Sequence, residues 1–235
     1  MTIDTRSQPL TTPREAAIAG IIFSLLMIVG LGIIRLCFPD GPAESMVNPG
    51  FLKALQLALH LVPFAGIAFL WFLGVLRNRM GASEDKFFAT VCLGSGLLFV
   101  ASLFASGAVT EAALRIRQAQ PTQPISDEVY YFARQASSAF LNVFAIKMAG
   151  VFILSTSTIA LRTAILPRWI AFSGFASSLI LLLVISSWLW IAVLFPVWTM
   201  VVSAYILVAN RKPRAGLDAP HPASGRLESS TTPAE

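Results

Sequence analysis

Long apolar runs alternate with short polar segments along the whole chain. Four runs are separate, at 16–38, 51–76, 87–110 and 139–161. A fifth apolar region, Trp169–Val208, is too long to be one span, since a single helix of that length would measure about 60 Å, twice the hydrocarbon thickness of a bilayer. The Ser186-Ser187 pair divides it into spans at 169–185 and 188–208. The run Ala139–Leu161 alone would make a helix about 34 Å long, enough to cross a bilayer core with some tilt. The pattern predicts an all-α protein, a polytopic transmembrane helical bundle of six spans. The lead at 1–15 is polar and proline-broken, and the tail at 210–235 is rich in Pro, Ser, Thr and Ala, so both are expected to be flexible.

The polar segments carry the turn chemistry that six spans need. Pro39–Gly50 holds three prolines, two glycines, two acids and no base, and Arg77–Lys86 is a short basic loop. Glu111–Gln135 is the longest connection, and its Ser126-Asp127-Glu128 resembles a helix start, with a capping hydroxyl and acids in the first turn. The first apolar run exceeds the core of a cleaved signal peptide and lacks an A-x-A site, so it is expected to be retained.

Charge sets the expected orientation. With both termini cytoplasmic, that side holds Arg6, Arg14, Arg77, Arg79, Lys86, Arg162, Arg168 and the four bases of the tail, against Arg35, Lys53, Arg115, Arg117 and Arg134 opposite. The asymmetry satisfies the positive-inside rule. Aromatic residues agree: Trp71, Trp169 and Tyr205 fall near the inner boundary, Tyr130, Tyr131, Trp188 and Trp190 near the outer one, and Trp198 lies mid-span.

Composition narrows the function. Hydrophobic residues make up 56% of the chain and charged ones only 12%, about half the usual charged fraction of a soluble domain, with mean hydropathy +0.73. The net charge of +5 is spread over the ends of apolar runs, so no nucleic-acid stripe forms. The two cysteines, Cys37 and Cys92, form no CxxC and are expected to stay apart, at opposite ends of their spans. His60 is the sole histidine at membrane depth, which argues against a bis-histidine haem. No intramembrane aspartate, HExxH, Gly-x-Ser-x-Gly or phosphate loop occurs, so no reaction-competent set is visible and no cofactor is expected.

Six polar residues in the outer half are the candidate site: Arg35, Lys53, Gln56, His60, Glu111 and Lys147. Lys53, Gln56 and His60 recur at i, i+3 and i+7 on one helix face, with Pro63 one turn on. The favoured reading of His60 is a buried hydrogen-bonding residue that locks a proline-kinked helix to its neighbour. A charge at the depth of Lys147 is costly and marks a functional hypothesis. The favoured reading is snorkelling, its stem in lipid and its ammonium at the headgroups. The alternative is an ion pair with Glu111, although Glu111 and Arg115 stand i, i+4 and can pair locally. The Ser155–Thr158 run is expected to bond back to its own helix.

The pattern of Lys147, Met148-Ala149, Ser155–Thr158, Arg162 and Leu166-Pro167-Arg168-Trp169 resembles a group of uncharacterised multi-pass membrane proteins common in actinobacteria. The resemblance implies a bacterial inner-membrane location and brings no activity. Two functional readings stand on the residues: a non-catalytic membrane component acting through helix–helix or lipid contacts, or a small transporter or solute-binding protein using the six polar residues. The expected partner is the lipid bilayer, with a homo-oligomer or another membrane protein left open.

Overall fold

In a computed structural model the described residues are 13–37, 49–80, 86–119, 126–163, 166–184 and 189–209. Every regular element among them is helical. The expected flexible lead and tail lie outside these residues, apart from the first helical turn at 13–15.

The helices are α1 (Pro13–Cys37), α2 (Pro49–Met80), α3 (Lys86–Ala119), α4 (Asp127–Ser138), α5 (Ile146–Thr163), α6 (Arg168–Leu183) and α7 (Leu189–Ala209). Both α1 and α2 open on proline, which suits the first helical turn because its missing N–H has no intrahelical acceptor there. The α4 helix starts where the cap-and-acid pattern predicts, with Ser126 Oγ accepting from Val129 N at 3.5 Å. A π-helical stretch, Ala139–Ala145, joins α4 to α5 without a break, so the predicted fourth span is part of a continuous 37-residue rod from Asp127 to Thr163.

Among the described residues four rods are long and apolar enough to cross a membrane: Gly50–Arg77, Phe87–Ala119, Asp127–Thr163 and Ile191–Ala209. Two further apolar stretches are Ala17–Ile33, within α1, and the 16-residue α6, Arg168–Leu183. Large apolar side chains cover the outside, among them Trp71 at 70% exposure, Phe132 at 74% and Leu183 at 67%. A surface of this kind is what a monomeric soluble protein avoids.

The centre is an aromatic knot. Phe23 of α1, Phe69 of α2, Phe99 of α3, Phe152 of α5 and Phe195 of α7 are all buried. Phe69 sits in the middle, with ring centroids 4.9 Å from Phe23, 5.2 Å from Phe99, 5.3 Å from Phe152 and 5.6 Å from Phe195. Tilted and edge-on pairs of this kind add about 0.5–1.5 kcal/mol each beyond area burial. Around the knot, α1 packs on α2 and α7, α3 on α2 and α5, and α5 on α6.

The α5–α6 hairpin is held in antiparallel register by small residues. A Cβ on Gly174 would collide with Ser157 Oγ, and one on Gly150 would lie 3.0 Å from Leu182 Cγ. Ser178 Oγ donates to Gly150 O across the contact at 2.8 Å. Lys147, one turn before Gly150, therefore faces the C-terminal end of α6.

Candidate functional site

The structure gives Lys147 neither of its two expected roles. Its ammonium donates to three backbone carbonyls at the end of α6: Leu181 O at 3.0 Å, Leu182 O at 2.8 Å and Val184 O at 3.0 Å. The α6 helix has 16 residues, about 24 Å of rise, shorter than a hydrocarbon core. Val184 leaves the helix with extended backbone (φ −75°, ψ 119°), which ends the intrahelical bonding of the last carbonyls. In an apolar setting those carbonyls need donors, and a cation at a helix C-terminus also meets the negative end of its dipole. Lys147 supplies both. The alternative pair is absent as well, because Glu111 Oε1 lies 2.9 Å from Arg115 Nε on its own helix.

Lys53 and His60 are likewise engaged locally or turned outward. Lys53, Gln56 and His60 do share a face of α2, but Lys53 and His60 are exposed. His60 is therefore not the buried interhelical lock: its Nδ1–H donates to Gln56 O at 2.7 Å, one turn back on the same helix. Arg35 lies in α1, with its side chain outside the described residues. The serine–threonine run splits: Ser155 and Thr158 bond back to Val151 O and Leu154 O, both at 2.9 Å, as expected. Thr156 Oγ1 instead lies 3.6 Å from Cys92 Sγ of α3, and Ser157 Oγ has no protein partner.

The structure reveals a different feature, a cavity of about 240 Å³ between α1, α2, α3 and the α4–π–α5 rod. Of the predicted residues whose side chains are described, Lys53, Gln56, His60, Glu111 and Lys147, none lines it. Its space comes from small side chains on every wall: Gly30, Ala58, Ala65, Gly107, Ala113 and Ala133. A Cβ on Gly30 would meet nothing within 4 Å. The lining runs from Leu55 to Ala65 on α2 and from Leu103 to Ala113 on α3, in each case about 15 Å of helix. The cavity is therefore a slot along the bundle and not a round hole.

Its α1 and α2 walls are aliphatic, with Met27, Leu31, Leu55 and Val62. Polar atoms lie on the α3 and α4 side. Ser106 Oγ and Thr110 Oγ1 each share a 2.8 Å hydrogen bond with Ser137 Oγ, and Ser137 O accepts from Ser106 Oγ at 2.9 Å. These hydroxyls satisfy one another and pin α3 to the end of α4. Asn142, in the π stretch, donates through Nδ2 to Ser138 Oγ at 2.9 Å, and its Oδ1 is buried without a partner. Tyr130, expected in an outer aromatic belt, is turned inward instead: it is 1% exposed, packs on Phe51 and Leu55, and its buried hydroxyl has no partner. Arg134 stands at the exposed rim.

Apolar pockets with a few placed polar atoms are what small-molecule sites look like, and π stretches recur at such sites. Comparison with protein-family models, curated proteins and solved structures finds no match for this chain.

Proposed function

We propose that this chain is a six-span protein of a bacterial inner membrane, with both termini in the cytoplasm, acting as a non-catalytic component through helix–helix and lipid contacts. The observation that carries the reading is the use made of the intramembrane polar groups. Lys147 caps a neighbouring helix, Glu111 pairs with Arg115, and His60 bonds to its own helix. Each is engaged in holding or bordering the bundle, and they are not gathered around a common reacting point. The apolar exterior, with Phe64, Trp71, Phe132 and Leu183 exposed, supports immersion in lipid. A cation over an aromatic ring, Arg162 Cζ at 4.7 Å from the Phe88 centroid, suits the inner boundary where α3 begins and α5 ends.

The slot favours a second reading, a solute-binding protein, on residues other than the six expected from the sequence. The topology is tested by reporter fusions. Those at Gly81, Arg168 and the C-terminal tail should report cytoplasm, and those at Gly41 and Gln120 the opposite side. A cytoplasmic signal at Gln120 would refute six spans, because every later span would invert.

A further inference from the structure

We propose that the slot between α1, α2, α3 and α4 is a binding site for a single-chain, neutral amphiphile, its hydrocarbon tail along α1 and α2 and a hydroxyl-bearing head at Tyr130. This inference rests on the membrane placement proposed above and adds the ligand class.

Shape comes first. A volume of about 240 Å³ drawn out over about 15 Å of helix is elongated, the form of an extended acyl chain. Along α1 and α2 the slot offers aliphatic contact, with Met27 and Val62, while its hydroxyl and amide groups lie on the α3 and α4 side.

Polarity then sets the head and its direction. Tyr130 Oη is buried, borders the slot and has no partner, so it can both give and take a hydrogen bond there. The chain beyond Tyr130 is polar and exposed at Ser126, Asp127 and Glu128, which makes this the water-facing end. A hydroxyl head is the simplest group that answers Tyr130 Oη. Among the described residues no lysine or acid lines the slot, and the charged lining residue Arg134 stands at the exposed rim. A charged head carried inside would therefore be desolvated with little return. Asn142 Oδ1, also buried without a partner among the described lining residues, only accepts, and so also disfavours an anionic guest.

The test uses the full chain in phospholipid vesicles with a monoacylglycerol that carries a diazirine in its acyl tail. After irradiation, labelled positions should fall on slot residues such as Met27, Val62 and Leu103. Excess 1-monooleoylglycerol should compete, and oleate should compete poorly. Gly30→Leu, which fills the slot from a position with open space around its Cβ, should cut slot labelling at least about tenfold, as loss of a buried chain's contacts implies. Tyr130→Phe, which keeps the packing, should weaken competition by about three- to tenfold, the effect of one net hydrogen bond. Val29→Leu, on the outer face beside Gly30, is the control and should change neither.

Labels confined to outward residues such as Ile22, Phe64 and Leu97, and unaffected by Gly30→Leu, would overturn the proposal. Equal competition by oleate, or an unchanged Tyr130→Phe, would overturn the assigned head. Flotation of the same vesicles separates the two readings. A chain that does not float refutes the membrane placement, whereas one that floats and labels only on its exterior refutes the slot alone.

Discussion

At the scale of single residues, the position of a charge says less than the groups it can reach. Lys147 sits on an apolar helix, and side-chain length alone would let its ammonium climb to the headgroups. Three backbone carbonyls at the end of α6 lie closer, at 2.8–3.0 Å, and an ammonium has three donors to match them. Lys147→Leu should therefore destabilise the protein by about 2–3 kcal/mol, the scale of hydrogen bonds to a charged group with carbonyls left unmet. Lys147→Arg should recover only part, since a planar fork does not converge on three acceptors as an ammonium does. Glu111→Gln should be nearly silent, and the double variant with Lys147→Leu should be additive. Thermal melts in detergent of the four variants decide this, and rescue of Lys147→Leu by Glu111→Gln would restore the ion-pair reading.

Among elements, contact depends on small residues at crossing points. In lipid there is little apolar drive to pair helices, so close approach and dispersion must do it. Gly174 lies so close to Ser157 that an added Cβ would displace its hydroxyl, and that hydroxyl is buried without a partner. Gly174→Ala should cost about 1–3 kcal/mol by overpacking, partly offset by the better helix propensity of alanine. Ser157→Ala alone should be neutral or stabilising, because it removes an unsatisfied buried polar group. Combined with Gly174→Ala it should recover much of the loss. A double-mutant cycle measured by thermal unfolding checks the coupling, and strict additivity would show that the two positions do not touch.

Over the whole molecule, the phenylalanine knot ties five helices at one level. Phe69 touches four of the other rings directly, so its loss opens a hole bordered by α1, α3, α5 and α7 at once. Phe69→Ala should cost about 3–5 kcal/mol, and Phe69→Leu clearly less because most of the volume is kept. A melting shift for Phe69→Ala no greater than that of an outward substitution such as Trp71→Ala would mean the knot does not hold the bundle. Because α6 contributes no ring to the knot and ends early, it depends on its contacts with α5, with Lys147 at the far end.

Local composition was enough to determine the helical class and the number of apolar runs, since every backbone polar group in a long apolar segment must bond within its own helix. It also determined the Ser126 cap, the Glu111–Arg115 pair and the back-bonding of Ser155 and Thr158, because these are contacts within a turn or two of one helix. The slot could not be read in this way. It is made of glycines and alanines on four elements far apart in sequence, and a missing side chain leaves no periodic signal. Tyr130 reads as a belt aromatic in the sequence, and only packing turns it inward. The same holds for Lys147: its partners are carbonyls, which every residue carries, and only the antiparallel register of α5 and α6 decides which of them it meets.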